Sequence, residues 1–147
     1  MRKIIHINDQ WFYANDYKDE YLKNEFDFSN FERVDLPHTN IELPYNYFDE
    51  KSYQFISTYV KTLKFDNSIK GKKVFLDFEG VMIATEVYLN GIHVGGHKGG
   101  YTNFSIDITE ALKINEDNVL KVVVDSTERP DIPPHGYVVD YLTYGGI

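Results

Sequence analysis

The feature that most constrains this chain is a set of short runs in which apolar side chains recur at every second position. Val74, Leu76 and Phe78 fall on one face of such a run, while Lys73, Phe75 and Asp77 fall on the other. Successive side chains of a β-strand point to opposite sides, so the pattern describes a strand with one face buried. Thr85, Val87 and Leu89 repeat it against Glu86 and Tyr88, and the run ends in Asn90-Gly91. That dipeptide suits the positive φ angles of a two-residue hairpin turn, so Ile92, His93 and Val94 are expected to return antiparallel. Tyr53 to Phe65 predicts another strand region, closed by the turn-forming Asp66-Asn67-Ser68. Asn118 to Val124 predicts a further one, with Leu120, Val122 and Val124 on one side.

Short strands separated by turn signals about ten residues apart favour an all-β sandwich over alternating helices and strands. Asp107 to Leu112 is expected to form a short helical turn with Thr109 as its N-cap, and a weak helical stretch is expected near Asp19 to Asn24. A chain of 147 residues closes one hydrophobic core, so residues 1–147 are read as a single domain. Twelve Tyr and ten Phe supply ample apolar area, and Trp11 with most of these rings is assigned to the core.

Fifteen basic against 23 acidic residues give a net charge of -8, which repels phosphate backbones and anionic lipid headgroups. Neither nucleic acid nor a membrane is an expected partner. The chain has no Cys, which removes disulfides and thiolate metal sites and fits a reducing compartment. The start from Met1 to His6 lacks a signal-peptide apolar run, and a cytoplasmic location is the expectation.

Glu128-Arg129-Pro130-Asp131-Ile132-Pro133-Pro134-His135-Gly136 is a loop, because its prolines lack donors and restrict the residues before them. No phosphate loop, dinucleotide fingerprint or Ser-His-Asp pattern occurs, and no cofactor is expected. Glu79, Glu86 and Glu110 lie in no motif that suggests an acid and nucleophile pair, so no catalytic residue is assigned. His93 and His97 are four apart, yet Gly95-Gly96 between them points to a turn or bulge, and no metal site is assigned. His38 is read as support for the Leu36-Pro37-His38 turn.

Several motifs follow one another in a telling order: Val34-Asp35-Leu36-Pro37-His38-Thr39, Gly71 to Val81, Val87-Tyr88-Leu89-Asn90-Gly91, His97 to Phe104, and Asp140-Tyr141-Leu142-Thr143-Tyr144-Gly145-Gly146-Ile147. Together they resemble the N-terminal sugar-binding domain of glycoside hydrolase family 2, the group of β-galactosidases, β-glucuronidases and β-mannosidases. The resemblance covers nearly the whole chain from about Val34. It implies a jelly-roll, galactose-binding-like β-sandwich packed on a (β/α)8 barrel that carries the two catalytic Glu residues.

By motif position the resemblance assigns two substrate-binding residues, Asp140 and Asn46. Asp140 opens the last motif and is expected near sugar hydroxyls. A carboxylate there accepts strong hydrogen bonds from hydroxyls or binds a hard cation that does. An Asp in a loop is otherwise most often a turn carboxylate. The resemblance leaves the sugar open, although it is β-galactosidase-like. It also implies a further strand beyond Ile147, without which either an edge is open to self-association or Pro130 to Ile147 is poorly anchored. Two alternatives stand beside it: a stand-alone carbohydrate-binding module, and a structural domain buttressing a barrel or a homo-oligomer interface.

Overall fold

The computed structural model describes residues 2–43, 45–46, 49–136 and 144–147. Among these residues eight strands follow in chain order: β1 (Trp11–Ala14), β2 (Glu32–Val34), β3 (Ile56–Lys64), β4 (Phe75–Phe78), β5 (Ala84–Leu89), β6 (Ile92–Lys98), β7 (Phe104–Asp107) and β8 (Asp117–Asp125). Six form one sheet in the order β2-β1-β3-β8-β5-β6, and β4 pairs with β7 in a second, every pairing being antiparallel. Among the described residues no helix is long and apolar enough to cross a membrane.

The period-two reading places the core correctly. Leu76 and Phe78 of β4 are buried with Ile106 of β7, and they meet Val87, Leu89, Leu120, Val122 and Val124 from the large sheet. Trp11, Tyr13 and Tyr59 fill the β1–β3 end of the same cluster. Burial of each Val or Leu stabilises the sandwich by roughly 1.5–3 kcal/mol. Asn90 (φ 54°) and Gly91 (φ 78°) make the tight turn between β5 and β6, with Leu89 paired to Ile92. The Asn90 side chain also works as a clamp: Nδ2 donates to Ala111 O and Asn118 Oδ1, each at 2.9 Å, and Oδ1 accepts from Val119 N at 3.1 Å. β6 runs on through Gly95-Gly96, with a bulge where the register shifts between Val87 and Tyr88.

One expectation is corrected. Asp107 to Leu112 forms no helix; it is a single turn closed by Ala111 N to Ile108 O at 3.1 Å. Thr109 caps nothing, because its Oγ1 accepts from Val74 N at 2.9 Å and so ties the turn to the start of β4. Asp107 takes the cap-like role, its Oδ1 accepting from Thr109 N at 2.9 Å. The weak helical stretch is one turn of 3₁₀-helix, Asp19–Leu22.

That turn belongs to a connection between β1 and β2 that crosses the outer face of the large sheet. Thr58 Oγ1 donates to Asp16 O at 2.9 Å, and the buried Lys121 donates from Nζ to Lys23 O at 2.6 Å. Tyr21, Phe26 and Phe31 pack on one another within the connection, while Phe28 meets Phe12 of β1. Val60 and Thr58 are therefore buried on the face a one-sided sheet would leave wet.

The last residues are fastened to two separate loops. His38 N donates to Ile147 O (2.8 Å), Asn40 N to Gly145 O (2.9 Å) and Met82 N to Gly146 O (3.1 Å). Ile147 also packs against the core, so the end of the Pro130 to Ile147 stretch is anchored within this chain.

Candidate functional site

The residues before Ile41 and after Ser52 converge on one polar knot. Asn40 Nδ2 donates to Tyr53 O (3.2 Å) and to Ser126 Oγ (3.1 Å), and Tyr13 OH donates to Asn40 O (2.9 Å). Ser126 Oγ lies 2.9 Å from Tyr53 O and 2.8 Å from Phe55 O, and it accepts from Phe55 N at 3.1 Å. Gly145 closes the knot: a Cβ there would lie 2.5 Å from Asn40 Nδ2 and 2.6 Å from Ser126 Cβ, so only a bare backbone fits. Asn40 and Tyr53, which flank residues 41–52, are thus held together beside Gly145.

Of the two sequence-assigned residues, Asn46 lies between Asn40 and Tyr53 in the chain, in a bend and exposed to solvent. Asp140 lies outside the described residues, in the stretch between Gly136 and Tyr144. What leads up to that stretch is firmly held. Asp131 receives Lys98 Nζ at 2.6 Å and Arg129 Nε at 3.2 Å, and Arg129 also reaches Asp125 at 3.3 Å. The hydrogen bonds from Lys98 and Arg129 hold the Asp131 carboxyl down at about 2. Ile132, 2% exposed, plugs into a small cluster with Ile83 and Ala84.

A cleft of about 550 Å³ opens beside the knot, lined by Pro37, His38 and Thr39, by Gly80, Val81 and Met82, and by Gly100 and Tyr144 to Gly146. It is a shallow depression, broadly open to solvent. Gly100 lies hard against the Met82 thioether, which sets the far wall. Tyr144, tilted against Tyr53 at 6.0 Å, supplies an aromatic surface. Among the described residues that line the cleft, His38 is the one imidazole; its Nδ1 is 2.8 Å from the hydroxyl of the wholly buried Tyr59. Burial pulls the His38 pKa below its ordinary value, partly opposed by Glu32. The sequence alone identifies His38 as turn support and contains no signal for the Tyr59 partnership, because the pair is brought together by β3 folding under the Pro37 turn.

The other candidates are placed elsewhere. His93 Nε2 is 2.6 Å from Glu86 Oε2, and His97 stacks on Phe104 while its Nε2 meets Thr102 Oγ1 at 2.8 Å. Glu79 and Glu110 are exposed and do not line the cleft. Among the described residues no group of three or more His, Asp or Glu is arranged to hold a metal ion.

Two antiparallel sheets closed over an aromatic core, with a glycine-lined cleft at one end, define a galactose-binding-like β-sandwich. Residues 33–133 match the family model described as glycosyl hydrolase 2 galactose-binding domain-like, and the chain belongs to that family. It is 55% identical over 148 residues to a β-galactosidase of Thermoanaerobacterium thermosulfurigenes, a match covering all of this chain and 20% of the relative. It is 49% identical over 147 residues to a β-galactosidase of Thermoanaerobacter pseudethanolicus, again covering 20% of the relative. A β-glucuronidase 2 of Bacteroides uniformis, solved covalently bound to cyclophellitol-6-carboxylate aziridine, superposes with a TM-score of 0.82 at 30% identity, covering 96% of this chain and 16% of that one. The chain therefore spans about a fifth of the length of the curated relatives it matches.

Proposed function

We propose that this chain is the non-catalytic sugar-binding wall of a family 2 β-glycosidase acting on β-galactosides, with bond cleavage carried out by carboxylates outside it. Asn46 and Asp140 are its sugar contacts in this reading. The observation that carries it is the knot of Asn40, Ser126 and Gly145, which holds a residue shortly before Asn46 and the end of the Asp140 motif together where β3 begins and β8 ends, beside the cleft. Two of the relatives above are named β-galactosidase, which favours a galactoside over a glucuronide. A net charge of -8 and the absence of Cys suit a neutral carbohydrate partner and a cytoplasmic location.

The test is steady-state kinetics of the full-length protein on aryl β-galactoside and aryl β-glucuronide. Preferred turnover of the galactoside is expected, and Asp140→Ala is expected to lower kcat/KM about tenfold or more, the scale of a hydrogen bond to a charged acceptor. Asn46→Ala is expected to lower it less. Unchanged kinetics in well-folded variants would return both residues to the role of turn formers.

A further inference from the structure

We infer that His38 is a sugar-binding residue of the cleft, presenting its Nε2–H as a fixed hydrogen-bond donor to a hydroxyl oxygen of a glycoside. This rests on the glycoside reading above and assigns a contact beyond Asp140 and Asn46.

The argument begins with Tyr59. Its side chain is wholly buried, and among the described residues its hydroxyl has no hydrogen-bond partner except His38 Nδ1. Burial pushes the phenol far above its ordinary pKa, so it keeps its proton. A buried hydroxyl proton needs an acceptor, and among the described residues the one in reach is the Nδ1 lone pair. The imidazole is then the tautomer with hydrogen on Nε2. Nε2 lies across the ring from Nδ1, so an imidazole that turns Nδ1 to the buried Tyr59 turns Nε2 away from it, and half-buried His38 is among the residues that line the cleft.

The donor is also held in place. The ring sits 4.7 Å from the Tyr13 ring and 5.6 Å from the Tyr59 ring, and the His38 main chain donates to Ile147 O at 2.8 Å. Its lowered pKa keeps it neutral near pH 7, where it suits an uncharged polyol. Around it the cleft offers Tyr144 and Met82 as apolar surface for the C–H faces of a sugar ring, and bare glycine backbone at Gly80, Gly145 and Gly146. A few directional polar groups set among apolar surface is the usual composition of a small-ligand site.

The experiment compares His38→Gln, His38→Met and Tyr59→Phe in the full-length protein. Gln keeps a donor near the Nε2 position and Met removes it. His38→Met should raise KM for the aryl β-galactoside about 3- to 10-fold with kcat little changed, Gln should recover most of that loss, and Tyr59→Phe should fall between. In parallel, ¹⁵N spectra of the histidine-labelled protein should show the Nε2–H tautomer at His38 and a shift of that nitrogen on adding galactose. A Met variant with a lowered thermal midpoint but unchanged KM, or an Nδ1–H tautomer, would reduce His38 to a bracket for the Pro37 turn. If the unaltered protein hydrolyses no aryl glycoside, the glycosidase reading fails separately, and the galactose titration alone decides His38: a shift upholds the contact and no shift overturns it.

Discussion

Asn40 and Ser126 stand 86 positions apart in the sequence and are joined by a 3.1 Å hydrogen bond from the amide Nδ2 to the hydroxyl Oγ. The same Oγ serves the backbone of Tyr53 and Phe55, so one small side chain fastens Asn40, the entry to β3 and the exit of β8. Ser126→Ala strips all of these at once in a site that is 2% exposed. The expected loss is about 1–3 kcal/mol of stability, the cost of leaving a buried polar group unpaired. Urea unfolding followed by aromatic fluorescence measures it, and no change would mean that the Asn40 amide and the two carbonyls find other partners.

Glycine at 145 is a packing requirement, and a matched pair of variants isolates it. Gly145→Ala puts a methyl group 2.5 Å from Asn40 Nδ2, whereas Gly80→Ala, also lining the cleft, meets only Gly100 O at an ordinary 3.5 Å. Gly145→Ala is expected to speed hydrogen exchange at Asn40 N and His38 N, whose acceptors are Gly145 O and Ile147 O. Gly80→Ala should leave both unchanged.

The loop before the Asp140 stretch should open in acid. Asp131 is held at about 2 against an ordinary 3.8 by Lys98 first and Arg129 second. A carboxyl with a lowered pKa stabilises the folded state above its unfolded value, and that contribution is lost as pH falls from near 4 through 2. Exchange protection of Ile132 N, which donates to Arg129 O at 3.1 Å, should fall across this window. Asp131→Asn should remove most of that pH dependence, and a midpoint near 4 in the unaltered protein would show that the Lys98 and Arg129 contacts are not made in solution.

The central strands were legible because one of their faces meets the core and the other meets water, which writes the alternation of Val74 to Phe78 and Thr85 to Leu89 directly into the sequence. β1 carried no such signal. Trp-Phe-Tyr-Ala is apolar at every position, since the connection from β1 to β2 covers the outer face and Phe12 is packed by Phe28. β2 is three residues long, too short for any period. Thr109 was misread because its hydroxyl serves a strand 35 positions away, a long-range contact that local capping patterns cannot encode. Asn46 and Asp140 came from motif order alone, while the His38–Tyr59 pair depends on packing between segments 21 positions apart and leaves no pattern to read.

Lys121 tests whether its charge or its stem matters. The side chain is 1% exposed, burial pulls its pKa down, and its ammonium reaches the Lys23 carbonyl. Removing a buried charge offsets the loss of its hydrogen bond, so Lys121→Met should change stability by less than about 1 kcal/mol. Lys121→Ala discards three buried methylenes and should cost about 2 kcal/mol at ~0.8 kcal/mol each. Thermal unfolding of the two variants decides it; equal losses would show that the ammonium, rather than the stem, secures the connection.

The bulge in β6 governs how this molecule meets its own kind at high concentration. β6 ends the six-strand order, and its Ile92 is 55% exposed, features that in a flat strand would template fibre growth. Here the register breaks at Val87/Tyr88, and Gly96 admits the Glu86 carboxylate across the strand, where His93 pins it at 2.6 Å. An incoming strand would face a kinked backbone beside the Glu86 carboxylate and its His93 partner, so a rim that looks sticky by composition is a poor seed for amyloid-like stacking.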